Sequence, residues 1–78
     1  MVVYFYTKPD CLLCEEALSL LETLQTLYNF DIEIRNIHDR DDWLEEFFLH
    51  IPVIDIAGTM LYGDAIEFTK IEQLLKEI

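Results

Sequence analysis

Thr7-Lys8-Pro9-Asp10-Cys11-Leu12-Leu13-Cys14 stands between an apolar run and a long amphipathic one. The chain has 2 cysteines, and both fall in this stretch. If Cys11 opens a helix, Cys14 lies one turn further on the same face. That spacing lets the two sulfurs close a disulfide, and it sets Cys11 among the unpaired N–H groups of the first turn. A thiolate there is stabilised by the positive end of the helix dipole, which lowers its pKa and makes it a better nucleophile at neutral pH. The stretch therefore points to dithiol–disulfide chemistry.

To its left, Val2-Val3-Tyr4-Phe5-Tyr6 is continuously apolar and β-branched or aromatic, as expected of a central strand covered on both faces. Thr7 to Asp10 is a loop, with Pro9 preset for a turn or a helix start. To its right, Ala17, Leu20, Leu21, Leu24, Leu27 and Tyr28 recur at helical spacing, and Asn29 reads as a left-handed stop. Phe30 to Ile37 then alternates apolar and polar, the pattern of a strand with one solvated face. Asp39 is the expected cap of a second helix burying Trp43, Leu44, Phe47, Phe48 and Leu49. Pro52 to Ile56, a turn at Ala57-Gly58-Thr59 and Met60 to Tyr62 read as a β-hairpin. Thr69 with Glu72 predicts a capping box for a last helix whose Ile71, Leu74, Leu75 and Ile78 face inward.

The order is β-α-β-α-β-β-α, and 78 residues leave room for a single domain. The expected fold class is α/β, a four-stranded mixed sheet with helices on both faces, built from a right-handed parallel crossover and an antiparallel hairpin. The loop holding Cys11 then lies at the carboxyl end of the first strand, where sheets of this kind place their sites.

Composition narrows the function. A hydrophobic fraction of 53% supports a compact core without metals or several disulfides. There are 16 acidic residues against 5 basic ones, a formal net charge of −11, which repels nucleic acid and anionic membrane surfaces. No leader pattern follows Met1 and no apolar run is long enough to span a bilayer, so a cytoplasmic protein is expected. In a reducing compartment a Cys-x-x-Cys pair is more often catalytic or metal-binding than structural. His38 and His50 are the only histidines, and their spacing from the cysteines is not that of a zinc finger. For Trp43, Phe47 and Phe48 the expectation is core rather than a partner face, and for His50 a place at the end of the second helix.

The chain resembles the glutaredoxins of the thioredoxin-fold superfamily over nearly its whole length. The likeness rests on Tyr6-Thr7-Lys8-Pro9-x-Cys11-x-x-Cys14 after the first strand, on Ile51-Pro52-Val53 opening the hairpin, and on the element order. It is nearer to the short glutaredoxin-like proteins than to the glutathione-dependent enzymes. The resemblance implies that Cys11 is the attacking thiol and Cys14 the resolving one. It implies a cis bond at Pro52, an Ile51 backbone that pairs with extended substrate, and a Lys8 that helps hold the thiolate. Three departures stand out: Leu12-Leu13 replaces the usual Pro-Tyr, the glutathione-binding pattern is reduced to Gly63-Asp64, and Lys8 is the only basic residue in or next to the motif. Glutathione binding is accordingly expected to be weak or absent.

Asp10 can cap the helix and also sets a like charge beside Cys11, as do Glu15 and Glu16, which raises a thiol pKa while Lys8 and the helix terminus lower it. The expected Cys11 pKa is below the free value of about 8.5, with the balance of a reductant. The function expected is a thiol–disulfide oxidoreductase that reduces protein or small-molecule disulfides as a monomer. It needs no cofactor, and a reductase or low-molecular-weight thiol regenerates it. The alternative is a non-catalytic binding module that carries an Fe–S cluster or metal on the cysteines, or docks a partner through its acidic surface.

Overall fold

A computed structural model describes residues 1–77. Four strands and three helices follow the expected order: β1 (Val2–Thr7), α1 (Leu12–Gln25), β2 (Asp31–Asn36), α2 (Asp41–Phe47), β3 (Val53–Ile56), β4 (Thr59–Tyr62) and α3 (Phe68–Lys76). The sheet order is β2-β1-β3-β4, with β1 and β2 parallel and the other two pairs antiparallel. Strand β1 is thus central, flanked by Ile34 opposite Phe5 on one side and Ile54 opposite Phe5 on the other.

Alternation along β1 and β3 explains the two-sided cover. Val3, Phe5, Ile54 and Ile56 pack on one face with Ala17, Leu21 and Leu24 of α1 and Ile71 and Leu75 of α3. Tyr6 and Val53 pack on the other with Ile37 and Phe47, and Tyr4 and Trp43 lean against them. Each face buries its own apolar set, which is why the strand reads as continuously apolar.

Several local expectations shift. Helix α1 stops at Gln25, one turn before Asn29, and its cap Thr26 keeps a right-handed backbone while its hydroxyl donates to the Thr23 carbonyl. Leu27 is therefore outside the helix and exposed. The Gln25 side-chain amide donates to the Phe30 carbonyl at 3.0 Å and ties the exit loop to the start of β2. On β2, Ile34 is exposed because the strand lies at the sheet edge, whereas Arg35 folds back over the Tyr4 ring at 4.1 Å. The polar positions of this strand are not all on a solvated face.

Asp39 does not cap α2. It sits in a short 3-10 turn, Ile37–Asp39, capped by the Asn36 side chain accepting from the His38 N–H at 2.9 Å. Arg40 holds the cap position of α2, in extended conformation and without a side-chain cap bond. Phe47 is buried, but Phe48 and Leu49 lie past the helix end and are exposed, Leu49 at 77%. The chain tightens there, since the His50 and Ile51 N–H groups both donate to the Phe47 carbonyl, and this turn aims Phe48 and Leu49 outward.

Thr69 likewise lies inside α3 rather than capping it. The helix starts two residues early, and Glu67 takes the cap position with its carbonyl accepting from the Ile71 N–H at 3.0 Å. Ile71 and Leu75 are buried as expected, and Ile78 lies outside the described residues. The hairpin turns through Ala57 and Gly58, both with positive φ, and the Asp55 carboxylate accepts from the Gly58 N–H at 3.0 Å. Among the described residues, no helix is long and apolar enough to cross a membrane.

Candidate functional site

Strand β1 delivers the chain to the cysteines at its carboxyl end, through the exposed loop Lys8-Pro9-Asp10. Asp10 takes a left-handed φ of 56°, which a short polar side chain tolerates better than most. This bend sets Cys11, rather than Asp10, at the cap of α1. Cys11 is extended there, and its Sγ accepts from the Cys14 N–H at 3.2 Å. The position an Asp10 carboxylate was expected to fill is thus taken by the sulfur.

Cys11 and Cys14 are joined as a disulfide with their Cα atoms 5.2 Å apart. The two sulfurs have different surroundings. Cys14 is 3% exposed and belongs to the core under α1, whereas Cys11 is only half-buried. One turn of helix therefore separates an accessible sulfur from an enclosed one. Between them, Leu12 and Leu13 are 69% and 62% exposed, leaving two large apolar side chains beside the disulfide.

Two hollows flank the pair. One, of about 220 Å³, is lined by both cysteines with Lys8, Asp10, Glu15 and Ile34. The other, of about 290 Å³, runs from Leu13 past Pro52 to Gly63 and Asp64. The Ile51–Pro52 peptide is cis, Pro52 is buried, and its carbonyl accepts from the Gly63 N–H at 2.9 Å. That bond joins the start of β3 to the loop after β4, and Pro52 and Asp64 border one groove with Leu13.

Of the residues picked out in the sequence, Cys11, Cys14 and Lys8 meet in the first hollow, and Pro52 lines the second. Ile51 is half-buried against both apolar clusters, and its N–H is already engaged by Phe47. His50 lines neither hollow: its ring meets Tyr62 edge-on at 5.4 Å. Ile34 in the first hollow and Leu20 and Ile66 in the second are residues that sequence reasoning missed. Strand alternation places Ile34 in the core, and only the parallel register opposite Phe5 brings it beside the cysteines.

The remaining charges leave the site acidic. Arg35 is bonded to Glu33 and to the Tyr6 hydroxyl; burial opposes its charge, but these two partners hold its pKa above the ordinary arginine value. Arg40 is bonded to Asp42, which lies below the usual carboxylate range through that bond. Both arginines also stack on Trp43, on the α2 face of the sheet, away from either hollow. Among the described residues, Lys8 is the one basic side chain lining either of these hollows, against Asp10, Glu15, Glu16 and Asp64.

Known proteins agree with this architecture. A family model described as Glutaredoxin-like domain (DUF836) matches residues 2–76. Among solved structures, a single-site mutant of the thioredoxin-like protein BC3987 is 22% identical, with a TM-score of 0.67 over 94% of this chain and 97% of that one. The unmutated form of that protein gives a TM-score of 0.62 at 22% identity, over 94% of this chain and 99% of that one. A structure described only as a malarial protein is 16% identical, with a TM-score of 0.67 over 97% of this chain and 93% of the other. At these identities the solved structures speak for a shared thioredoxin-like fold.

Proposed function

The chain belongs to the glutaredoxin-like domain family, and on that premise we propose that it works as a thiol–disulfide oxidoreductase. The observation that carries the reading is the position of the Cys11 sulfur at the cap of α1, accepting the Cys14 N–H. A neutral disulfide sulfur gains little from that donor. A thiolate in the same place gains a charge-assisted hydrogen bond together with the helix dipole, and both lower its pKa.

The cycle follows from the unequal burial of the two sulfurs. In the reduced chain the Cys11 thiolate attacks one sulfur of a substrate disulfide, that S–S bond breaks, and the departing thiolate takes up a proton. The mixed disulfide joins Cys11 to the substrate. Cys14 then loses its proton and attacks the Cys11 sulfur, releasing the second substrate sulfur as a thiol. Two electrons and two protons have passed to the substrate, and the chain is left with its Cys11–Cys14 disulfide. A low-molecular-weight thiol or a reductase restores the dithiol. In this reading Lys8 supports the thiolate, Pro52 walls the groove, and the Ile51 carbonyl is the backbone group offered to extended substrate, its N–H being used internally.

The test is alkylation of each cysteine against pH in the reduced chain, together with the variant Cys14→Ser. Cys11 is expected to react selectively with a midpoint below about 8.5. The variant is expected to accumulate a Cys11–substrate mixed disulfide visible by mass. If both thiols titrate like ordinary ones and no mixed disulfide forms, the redox reading is lost.

A further inference from the structure

We propose that the groove between α1 and the loop after β4 selects a segment of a partner protein that carries an apolar side chain and a lysine or arginine next to its disulfide cysteine. The inference rests on the redox reading above and names the substrate class of that same site.

The groove begins at Leu13, between the two cysteines in the chain, so a substrate segment whose cysteine meets Cys11 can lay a neighbouring side chain in it. Its floor is apolar, formed by Leu20, Pro52 and Ile66 with the exposed Leu13 at one edge, and its rim carries Glu16 and Asp64. At about 290 Å³ it sits at the lower end of small-ligand pockets, a size suited to one or two side chains. Among the described residues neither rim carboxylate takes part in an ion pair. Among the described residues no lysine or arginine lines the groove.

These features select by sign. A substrate with carboxylates beside its cysteine meets two like charges in the groove and no counter-charge there. A substrate with a basic side chain meets two uncommitted carboxylates at the edge of an apolar floor. The field of the whole chain, with a net charge of −11, pushes in the same direction over longer range. Because the carboxylates are exposed, each is expected to contribute a few-fold to the preference rather than orders of magnitude. Exposure also makes the preference sensitive to salt.

Two synthetic peptides test this. Both contain the same internal disulfide and the same leucine beside one cysteine, and they differ only in a flanking lysine or glutamate. The chain, pre-reduced and freed of reductant, is mixed with each, and the second-order rates of peptide reduction are compared. The expected result is a lysine-over-glutamate rate ratio of about tenfold or more at low salt, falling towards one as salt is added. In the Glu16→Gln, Asp64→Asn double variant the ratio, which cancels any general loss of activity, is expected to fall at least several-fold.

Equal rates for the two peptides, or a preference for glutamate, overturn the inference and leave the redox reading intact. A lysine preference that the double variant keeps in full also overturns it, by moving the selection to another part of the acidic surface. If neither peptide nor any simple disulfide is reduced, the redox reading falls and takes this inference with it.

Discussion

Cys11 caps α1 with its own sulfur, so a helix N–H that usually serves a side-chain oxygen serves the proposed nucleophile instead. Asp10, displaced from that role by its left-handed backbone, remains next to Cys11 as a like charge for any thiolate. Removing this charge while keeping a residue that tolerates the same backbone isolates its effect. Asp10→Asn is expected to move the Cys11 alkylation midpoint down by a fraction of a pH unit, read with the same pH series. A midpoint that stays put would mean that the loop holds the carboxylate away from the sulfur.

Tyr28 offers a second test at this scale, remote from the cysteines. Its hydroxyl donates to the Glu72 carboxylate at 3.1 Å, tying the exit of α1 to α3. Desolvation, that hydrogen bond and the Glu72 charge all raise its pKa above the ordinary value. A group whose folded pKa is raised contributes stability that is present below the unfolded pKa and lost as pH rises through the folded one. Stability of the wild type is therefore expected to decline as pH passes about 10, and Tyr28→Phe is expected to flatten that decline. Thermal melts at neutral and alkaline pH compare the two slopes.

At the scale of elements, α2 separates pattern from place. Trp43, Leu44, Phe47, Phe48 and Leu49 read as one buried stripe, yet the helix ends at Phe47, and the turn into Pro52 carries the last two outward. Phe47 lies against the Tyr6 ring at 4.3 Å between centroids and is enclosed by Ile37 and Val53. Phe47→Ala is expected to cost about 3–5 kcal/mol through the cavity it leaves. Leu49→Ala is expected to stay within about 0.5 kcal/mol, as an exposed apolar side chain has little to lose. Chemical denaturation of both variants checks the contrast, and comparable losses would put Leu49 back in the core. The shifted cap of α3 has a similar origin, since docking Ile71 and Leu75 into the core sets where the helix begins and a two-residue cap motif is too weak to override it.

For the whole molecule, charge is the dominant global term. A net charge of −11 on 78 residues repels itself, and the attractive pairs available to offset it are few. Among the described residues there are three ion pairs, and each has at least one exposed member. Exposed pairs contribute about 0–1 kcal/mol apiece, so screening the repulsion outweighs weakening them. Melting temperature is expected to rise by a few degrees as sodium chloride is raised from low ionic strength towards physiological levels. A fall would show that the ion pairs matter more than the net charge.

The element order, the central place of β1, the hairpin and the pairing of Cys11 with Cys14 at the start of a helix are legible in the amino-acid sequence. These depend on interactions between near neighbours: the apolar period, the turn residues and a spacing of one helical turn. Which residue caps each helix, where α2 ends and what surrounds the cysteines depend instead on how the elements pack. Ile34 reaches the disulfide through strand register, and Pro52, Gly63 and Asp64 come to line one groove with Leu13, which lies far from them in the chain. Local propensities differ by a few tenths of a kcal/mol per residue, whereas burying one large side chain contributes several times more. Boundaries and neighbours are therefore set by the packing of the core, and the acidic, apolar-floored groove beside the sulfurs exists only once that packing is complete.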